Sequence, residues 1–360
     1  MLEDAVPLDH LRRALVVKLR HHGDVLLASP VFSALKARAP RLEIDALVYD
    51  DTAPMLEHHP AIAQVHTVGR AWREAGFARL ACEWQLYRRL KSRGYDLIIH
   101  LSEHPRGAWL ARTLGARYAV APGYSGRSRF WRRSFSHRFA LPLNARRHMV
   151  EWNLDALRRI GVQPAEDVRK LVYVPGAQAE QRARELLAEN GLRAGEFVHL
   201  HPASRWNFKC WTAQANAELV DRIAALGLPV LVTAAPDSRE LALVADIFER
   251  VHAKAVNLAG RVSVRELAAL TGQARLFVGV DSMPMHLAAA RGTPVVALFG
   301  PSGEFEWGPW RVAHAVVASD AHPCRPCGRD GCGGSKVSEC LTTLPVERVF
   351  AAVQRLLQQA

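Results

Sequence analysis

Residues 14–35 read ALVVKLRHHGDVLLASPVFSAL and contain the pattern that decides the fold. An apolar run ends at a basic triplet, Gly23 and Asp24 follow, and apolar residues then return at helical spacing. A short apolar run followed by a turn and a helix is typical of a strand and helix in a parallel sheet covered on both faces. Asp24 could cap this helix or take part in chemistry.

The strand-then-helix pattern recurs in both halves of the chain. Strand-like runs of the first half are residues 14–19, 44–49, 64–68, 95–101 and 118–122. Those of the second half are residues 197–202, 229–234, 255–260, 275–281 and 294–300. The alternation predicts an α/β protein with two doubly wound, Rossmann-like domains, in which ligands bind at the carboxyl ends of the strands.

The chain is long enough for two domains. Its 360 residues are 49% hydrophobic, which suffices for two ordinary cores. Pro175 and Gly176 separate the halves, after a further strand-like run at residues 171–174. The predicted regions are an N-terminal Rossmann-like domain, a C-terminal one with a cysteine-rich loop (residues 322–340), and a terminal helix: residues 1–175, 176–342 and 343–360.

The formal net charge of +12 is unevenly distributed. Residues 104–150 contain no Asp or Glu but ten arginines, among them Arg129, Arg132 and Arg133. We expect this segment to meet an anionic partner, which could be nucleic acid, an anionic membrane surface, or a phosphorylated or carboxylated substrate. A solvated basic face is the alternative.

The N-terminal sequence and the hydropathy predict a cytoplasmic protein. No run of about 18 apolar residues occurs. The first residues, MLEDAVPLDHLRR, carry acids and a proline where a secretory signal needs an apolar core.

Four of the six cysteines lie near the C-terminus, at Cys324, Cys327, Cys332 and Cys340. Their C-x2-C start matches the spacing of a zinc knuckle, so a structural zinc ion is one interpretation. Free or redox-sensitive thiols in a glycine-rich loop are the alternative, and a cytosolic chain of this size needs no disulfide framework.

Asp24 is a candidate general base. No G-x-G-x-x-G motif follows the first strand, so this loop is poorly suited to a dinucleotide. The flanking cations Lys18, Arg20, His21 and His22 would favour the carboxylate, which could accept a proton. The alternative is an acid stabilised by the positive end of a helix dipole.

Two stretches of the second half are candidate phosphate sites. In HPASRWNFKCW, residues 201–211, we expect Ala203 and Ser204 at a helix N-terminus, with Lys209 adding positive charge. An ordinary loop with a surface lysine is the alternative.

The other stretch is GVDSMPMHLAAARGTPVVALFGPS, residues 279–302, in which a strand ends at Asp281 and a helix follows. Backbone N–H groups near Ser282, Met283 and Pro284 could bind an anion, and His286 could donate to a phosphate oxygen. Helix capping by Asp281 is the alternative. Two such sites on neighbouring strands suggest a diphosphate.

Asp237 follows another strand, where an acid can bind ribose hydroxyls, although helix capping is the stronger interpretation. No D-x-D motif occurs, so the usual carboxylate pair for a metal ion on a sugar diphosphate is missing.

The two candidate phosphate stretches, together with KLRHHGDVLLASPVFSALK, resemble the signature regions of the ADP-heptose:lipopolysaccharide heptosyltransferases, glycosyltransferase family 9. The motifs S-R-x-x-F-K-C-W and G-V-D-S-x-P-M-H are most like those of the type III members, which add the third heptose. The resemblance implies a GT-B fold of two facing Rossmann-like domains. It also implies an inverting, metal-independent transfer from ADP-heptose that needs no cofactor.

By the same resemblance, Asp24 matches the general base, Lys18 a lysine near the acceptor and Lys209 the lysine on the ADP phosphates. The residues that match the donor-binding regions are Ser204, Asp281, Ser282, Met283, Pro284 and His286. Asp237 replaces a glutamate that contacts the ribose in better-known relatives. His21 and His22 replace smaller residues, which would alter the acceptor side.

The implied partners are the ADP-sugar donor, the core and lipid A part of lipopolysaccharide as acceptor, and the cytoplasmic face of the inner membrane, to which the protein would bind peripherally. Arg20, His21, His22, Arg129, Arg132 and Arg133 are predicted to serve the acceptor side. The alternatives are heptose transfer to another core position, a basic nucleic-acid-binding protein, and a nicotinamide-dependent oxidoreductase. No nucleic-acid-binding module is evident, and the glycine fingerprint of a nicotinamide site is missing.

Overall fold

A computed structural model describes residues 4–73, 76, 78–140 and 146–359. The chain forms two compact units, Met1–Val174 and Pro175–Ala360. Each unit is built around its own parallel sheet.

The described part of the first unit contains six strands: β1 (Arg13–Val17), β2 (Glu43–Tyr49), β3 (Gln64–Val68), β4 (Leu97–His100), β5 (Tyr118–Pro122) and β6 (His137–Phe139). Its helices are α1 (His22–Leu26), α2 (Ser29–Arg38), α3 (Ala78–Arg93), α4 (Arg106–Thr113), α5 (Arg129–Ser134) and α6 (Met149–Arg159). All strand pairs are parallel, in the order β3-β2-β1-β4-β5-β6.

The second unit repeats this plan. Its described strands are β7 (Val198–His201), β8 (Val230–Val232), β9 (Ala255–Asn257), β10 (Leu276–Val280), β11 (Val295–Phe299) and β12 (His314–Ala318). Its helices are α7 (Ala177–Glu189), α8 (Ala213–Ala224), α9 (Ser238–Phe248), α10 (Val264–Thr271), α11 (Met283–Arg291), α12 (Glu304–Trp307), α13 (Glu339–Thr342) and α14 (Val346–Gln359). The order is β12-β11-β10-β7-β8-β9, again all parallel.

Short 3₁₀ helices complete the described elements, at Leu8–His10, Asp50–Met55, Arg70–Arg73, Asp167–Arg169, Asn207–Lys209 and Cys332–Gly334.

Both sheets have the strand order of a Rossmann fold, with the order reversing beside the first strand of the unit. In the first unit this point lies between β1 and β4, and in the second between β7 and β10. The central strands are buried along their length, which is why their sequences are continuous apolar runs rather than alternating ones. The predicted α/β class is confirmed.

All ten predicted strands of the two halves are present, but the run at residues 171–174 is not a strand. That segment bonds to side chains instead of a strand: Val172 N donates to Ser29 Oγ at 3.0 Å, and the Val174 carbonyl lies 3.3 Å from His58 Nδ1. Two edge strands, β6 and β12, were not predicted.

The terminal helix α14 packs on α8 and on β10, β11 and β12, so it belongs to the second unit. Its buried side chains, Val349, Val353 and Leu356, recur at helical spacing and join the core of that unit. None of the described helices combines the length and the apolar composition that crossing a bilayer requires.

Candidate active site

Asp24 lies just beyond the carboxyl end of β1, as the third residue of α1. The N-cap of α1 is His21, which makes no side-chain capping bond, so Asp24 does not occupy the capping position. Arg20 Nε lies 3.7 Å from Asp24 Oδ1. This distance is too long for a hydrogen bond, so Arg20 contributes charge to the carboxylate rather than a fixed contact.

Lys18 is a buried cation next to this carboxylate. Its Nζ donates to the Leu101 carbonyl and to Asn153 Oδ1, both at 3.0 Å. Burial lowers the pKa of Lys18 to about 8, and the negative charge of Asp24 opposes that change. Asn153 Nδ2 in turn donates to the Leu27 carbonyl at 3.0 Å, so α6 fixes both the lysine and the end of α1.

A cavity of about 200 Å³ opens beside Asp24 and Lys18. Its lining also includes Ser102, Trp152 and Tyr124. Ser102 Oγ and Trp152 Nε1 are buried, and neither has a hydrogen-bond partner among the described residues. An unmade bond of a buried polar group costs about 1 to 3 kcal/mol, so a ligand with hydroxyl groups in this cavity could offset that cost.

A second cavity, of about 270 Å³, shares Tyr124 and Phe139 with the first. Its lining adds Trp131, Arg132 and Arg138. Burial raises the pKa of Tyr124 to about 12, so this side chain is a neutral phenol at physiological pH. An aromatic wall with two guanidinium groups suits a sugar that carries a negative charge.

The predicted acceptor-side residues fall into two places. Arg20 and His21 are exposed and His22 is partly buried, all at the start of α1. Arg129, Arg132 and Arg133 are exposed on α5, and no described carboxylate forms an ion pair with them.

Other arginines of the acid-free segment do form ion pairs with carboxylates. These pairs are Arg106–Glu83, Arg127–Glu103 and Arg147–Asp155.

In the second unit, Lys209 and Asp281 form an ion pair, with 2.5 Å between Nζ and Oδ2. Lys209 ends the 3₁₀ helix after β7, and Asp281 directly follows β10. Because β7 and β10 are neighbours, the two predicted phosphate motifs meet at the carboxyl ends of these strands. Asp281 is buried and binds the lysine, so it does not cap α11.

Helix α11 has no side-chain cap at its N-terminus. Ser282 occupies the N-cap position without a side-chain capping bond, and its Oγ donates to the Val280 carbonyl at 3.3 Å. Met283 and Pro284 form the first turn, and His286 is buried one turn further. The N–H groups of this turn therefore have no side-chain cap, which suits an anion.

The expectation of a helix N-terminus at Ala203 and Ser204 is wrong. The 3₁₀ helix Asn207–Lys209 intervenes, and α8 begins only at Ala213, where Thr212 Oγ1 accepts from Ala215 N at 3.1 Å. Ser204 Oγ instead accepts from Trp206 N at 3.3 Å in its own turn. The 3₁₀ helix that follows ends at Lys209, whose Nζ donates to Asp281 beyond β10.

Asp237 caps α9, since its Oδ1 accepts from Arg239 N at 3.0 Å and from Glu240 N at 3.4 Å. The ribose contact of Asp237 stays a prediction.

Sequence reasoning overlooked Glu240, which is buried next to β8 and accepts from Ala235 N at 3.0 Å. Burial raises the pKa of Glu240 and lowers that of His201, which lies 4.0 Å away, to about 3.

All six cysteines are free thiols. Cys324, Cys327 and Cys332 are exposed, Cys340 is buried, and burial raises the pKa of the Cys340 thiol. Among the described residues, no group of three or more His, Cys, Asp or Glu side chains is arranged to hold a metal ion. The negative charges of Cys332, Cys327 and Cys324 also raise the pKa of Cys340, so the four side chains lie near one another. The zinc and free-thiol interpretations both stay predictions.

Two residues that line the first cavity could have been predicted from the sequence. Ser102 and Glu103 follow β4 in the way that Asp24 follows β1, and loops after the strands beside the switch point bind ligands. Trp152 and Asn153 come from α6, far along the chain. Nothing in their local sequence places them beside β1.

Three comparisons relate the chain to known proteins. A model of glycosyltransferase family 9 (heptosyltransferase) matches residues 83–337. Lipopolysaccharide heptosyltransferase 3 of Escherichia coli is 37% identical over 94% of this chain and 97% of its own length.

Two solved structures share the fold. A family 9 glycosyltransferase from Veillonella parvula has a TM-score of 0.84 at 23% identity, covering 99% of this chain and 100% of its own. The E. coli heptosyltransferase WaaC with ADP has a TM-score of 0.73 at 20% identity, covering 96% of this chain and 99% of its own.

Proposed function

The chain belongs to glycosyltransferase family 9, and on that basis we propose that it transfers L-glycero-D-manno-heptose from ADP-heptose to the inner core of lipopolysaccharide. The observation that carries this proposal is the near full-length similarity to lipopolysaccharide heptosyltransferase 3. It favours the branch, or third, heptose as the product.

In the proposed reaction, an acceptor hydroxyl oxygen attacks the anomeric carbon of the heptose. A new carbon–oxygen bond forms while the bond from that carbon to the β-phosphate oxygen of ADP breaks. Asp24 takes the proton of the hydroxyl, and ADP leaves with the electron pair of the broken bond. Attack opposite the leaving group inverts the configuration at the anomeric carbon.

The first unit would bind the acceptor. Its cavity beside Asp24 offers Ser102 and Trp152 as donors for sugar hydroxyls. Lys18 would serve as a positioning residue, because its ammonium is held by Leu101 and Asn153 and its charge acts on Asp24 through space. Arg132 and Arg138 in the adjoining cavity would bind a carboxylate or phosphate of the acceptor.

The second unit would bind ADP. Lys209 and the uncapped turn before α11 would bind the diphosphate and stabilise the charge that develops on it as the bond breaks. The missing D-x-D motif supports a metal-independent mechanism in which these groups take the place of a cation. No cofactor is required in this scheme, and nucleic acid is not a partner.

The test is mass spectrometry of a delipidated inner-core acceptor after incubation with ADP-heptose and the protein. We expect a mass increase of one heptose and the release of ADP. Acceptors that lack the third heptose should react, and acceptors that already carry it should not. If several core acceptors gain no heptose while ADP-heptose stays intact, the proposal is wrong.

A further inference from the structure

Three helices of the first unit expose large apolar side chains to solvent. They are Leu80 and Trp84 of α3, Trp109 of α4 and Phe130 of α5, with exposed fractions of 67%, 60%, 64% and 45%. We refer to these four residues as the aromatic face. Large apolar patches on a protein surface commonly mark interaction sites.

The α3 part of this face continues onto α4. Leu80 and Trp84 are four residues apart in sequence and share one side of α3, whereas Leu86 and Leu90 of the same helix are buried. Trp84 stacks on Tyr87, with 5.7 Å between ring centroids, and the Tyr87 hydroxyl donates to the Thr113 carbonyl of α4 at 3.2 Å.

The face also continues from α4 to α5. Thr113 Oγ1 donates to the Trp109 carbonyl at 2.9 Å, so these two residues are one turn apart on α4. The Arg112 guanidinium, also on α4, lies 5.8 Å from the centre of the Phe130 ring.

The charges around the aromatic face are mostly positive. Exposed arginines on the same three helices are Arg79, Arg88, Arg89, Arg112, Arg129, Arg132 and Arg133. The carboxylate of Glu83 on α3 is ion-paired with Arg106 of α4. Such a surface complements an anionic lipid leaflet, which attracts arginine side chains near the headgroups.

We propose that the aromatic face is a docking surface for a lipid bilayer with anionic headgroups. Tryptophan and phenylalanine insert at the level of the headgroups, and the arginines bind phosphates there. Phe130 and the cavity residue Arg132 are on the same short helix, α5. If the proposed function holds, docking therefore brings the acceptor cavity to the surface that carries the lipid anchor of the acceptor.

The test is flotation of the full chain with vesicles of phosphatidylcholine alone and of equimolar phosphatidylcholine and phosphatidylglycerol. We expect binding to the anionic vesicles only. Replacing both tryptophans, Trp84→Ser with Trp109→Ser, should lower the partition coefficient by about tenfold or more. Arg88→Gln with Arg112→Gln should lower it by about fivefold per charge, and salt should weaken binding of the wild type.

Matched controls come from the second unit, where Leu226 and Arg193 are exposed. Leu226→Ser and Arg193→Gln should bind vesicles like the wild type. All variants should retain the thermal unfolding midpoint and transfer heptose to a delipidated acceptor. Transfer to that acceptor tests the proposed function, whereas flotation tests the docking surface, so the two fail separately.

Three results would overturn the docking proposal. One is a wild type that does not float with anionic vesicles, and another is a double tryptophan variant that floats as well as the wild type. The third is a wild-type dimer, measured by light scattering, that the tryptophan substitutions convert to a monomer while vesicles bind neither protein. That result would assign the aromatic face to a second copy of the chain.

Discussion

Each unit has a lysine and an aspartate beyond the carboxyl ends of its central strands, but the two pairs differ. In the second unit, Lys209 and Asp281 are in direct contact at 2.5 Å. In the first, the Lys18 ammonium donates to the neutral groups of Leu101 and Asn153, and the Arg20 guanidinium lies 3.7 Å from Asp24. The two sheets are similar, but Asp281 forms a direct ion pair with the lysine of its unit, whereas Lys18 donates to Leu101 and Asn153 instead of Asp24.

The difference indicates which aspartate can take a proton. A carboxylate oxygen that already accepts a short bond from an ammonium group can take a proton from a substrate hydroxyl only by giving up that bond. Asp281 is in this position, and we expect it to hold Lys209 in place. Asp24 borders a cavity, and its ion-pair distance to Arg20 is 3.7 Å, so a hydroxyl group in the cavity can approach its oxygen atoms.

The largest expected effect is that of Asp24→Asn. Loss of a general base costs about 10² to 10⁴ in rate, equivalent to about 3 to 5.5 kcal/mol of barrier. Transfer should fall by that factor while ADP affinity, measured by calorimetry, stays the same. Asp9→Asn, which removes a surface partner of Arg38, is the matched control and should keep full activity. Near-normal turnover of Asp24→Asn would refute the assignment of the base.

Lys18 should make stability depend on pH in one direction. Its pKa is about 8 in the folded chain and 10.5 in the unfolded chain, so between these values the unfolded chain binds the extra proton. The free energy of unfolding therefore rises with pH across this window, by up to about 3 kcal/mol for this group. Below pH 8 the full cost of burying the charge remains.

The measurement compares the wild type with Lys18→Met by thermal unfolding from pH 7 to 10.5. The wild type should gain stability relative to the variant as pH rises, because groups common to both proteins cancel. Lys170→Met, at an exposed position, is the control. A difference between the wild type and Lys18→Met that stays constant with pH would contradict the lowered pKa of Lys18.

Lys209→Met tests the ion pair of Lys209 and Asp281. Loss of a charged hydrogen bond to phosphate costs about 1.5 to 3 kcal/mol, so ADP affinity should fall by about tenfold to a hundredfold. The thermal midpoint should also fall, since Asp281 is buried without its partner. Adding Asp281→Asn should restore the midpoint but not the affinity. Unchanged ADP affinity in Lys209→Met would mean that the lysine serves Asp281 alone.

The smallest effect concerns Asp237, an aspartate after a strand that does cap a helix. Asp237→Ala should lower the free energy of unfolding by about 1 kcal/mol and leave ADP affinity little changed. Asp237→Ser should keep the stability, because serine caps as well as aspartate. A loss of ADP affinity in both variants would instead support the ribose contact.

Sequence patterns predicted the two Rossmann-like α/β sheets well, because apolar runs in parallel sheets are nearly continuous and the helices between them are periodic. They missed two edge strands, β6, which has three residues, and β12, which has five. The run at residues 171–174 has the composition of a strand, yet side chains take up its backbone groups. Composition does not show which partner a backbone group will find.

For the candidate site, the sequence located the loops but not the contacts between them. The motifs of Lys209 and Asp281 were each recognised after a strand, and adjacency of β7 and β10 brings them together. The predicted helix start at Ser204 failed because a 3₁₀ turn has no distinctive pattern. Trp152 and Asn153 were missed because α6 reaches the first cavity only through tertiary packing.

The strand order also sets when the first unit can form during synthesis. β1 pairs on one side with β2 and on the other with β4, where Ala14 lies opposite Leu97. At about 5 to 20 residues per second, β1 emerges from the ribosome on the order of ten seconds before β4. During that interval one edge of an apolar strand lacks its partner, so we expect the nascent chain to be most prone to aggregation before β4 has been made.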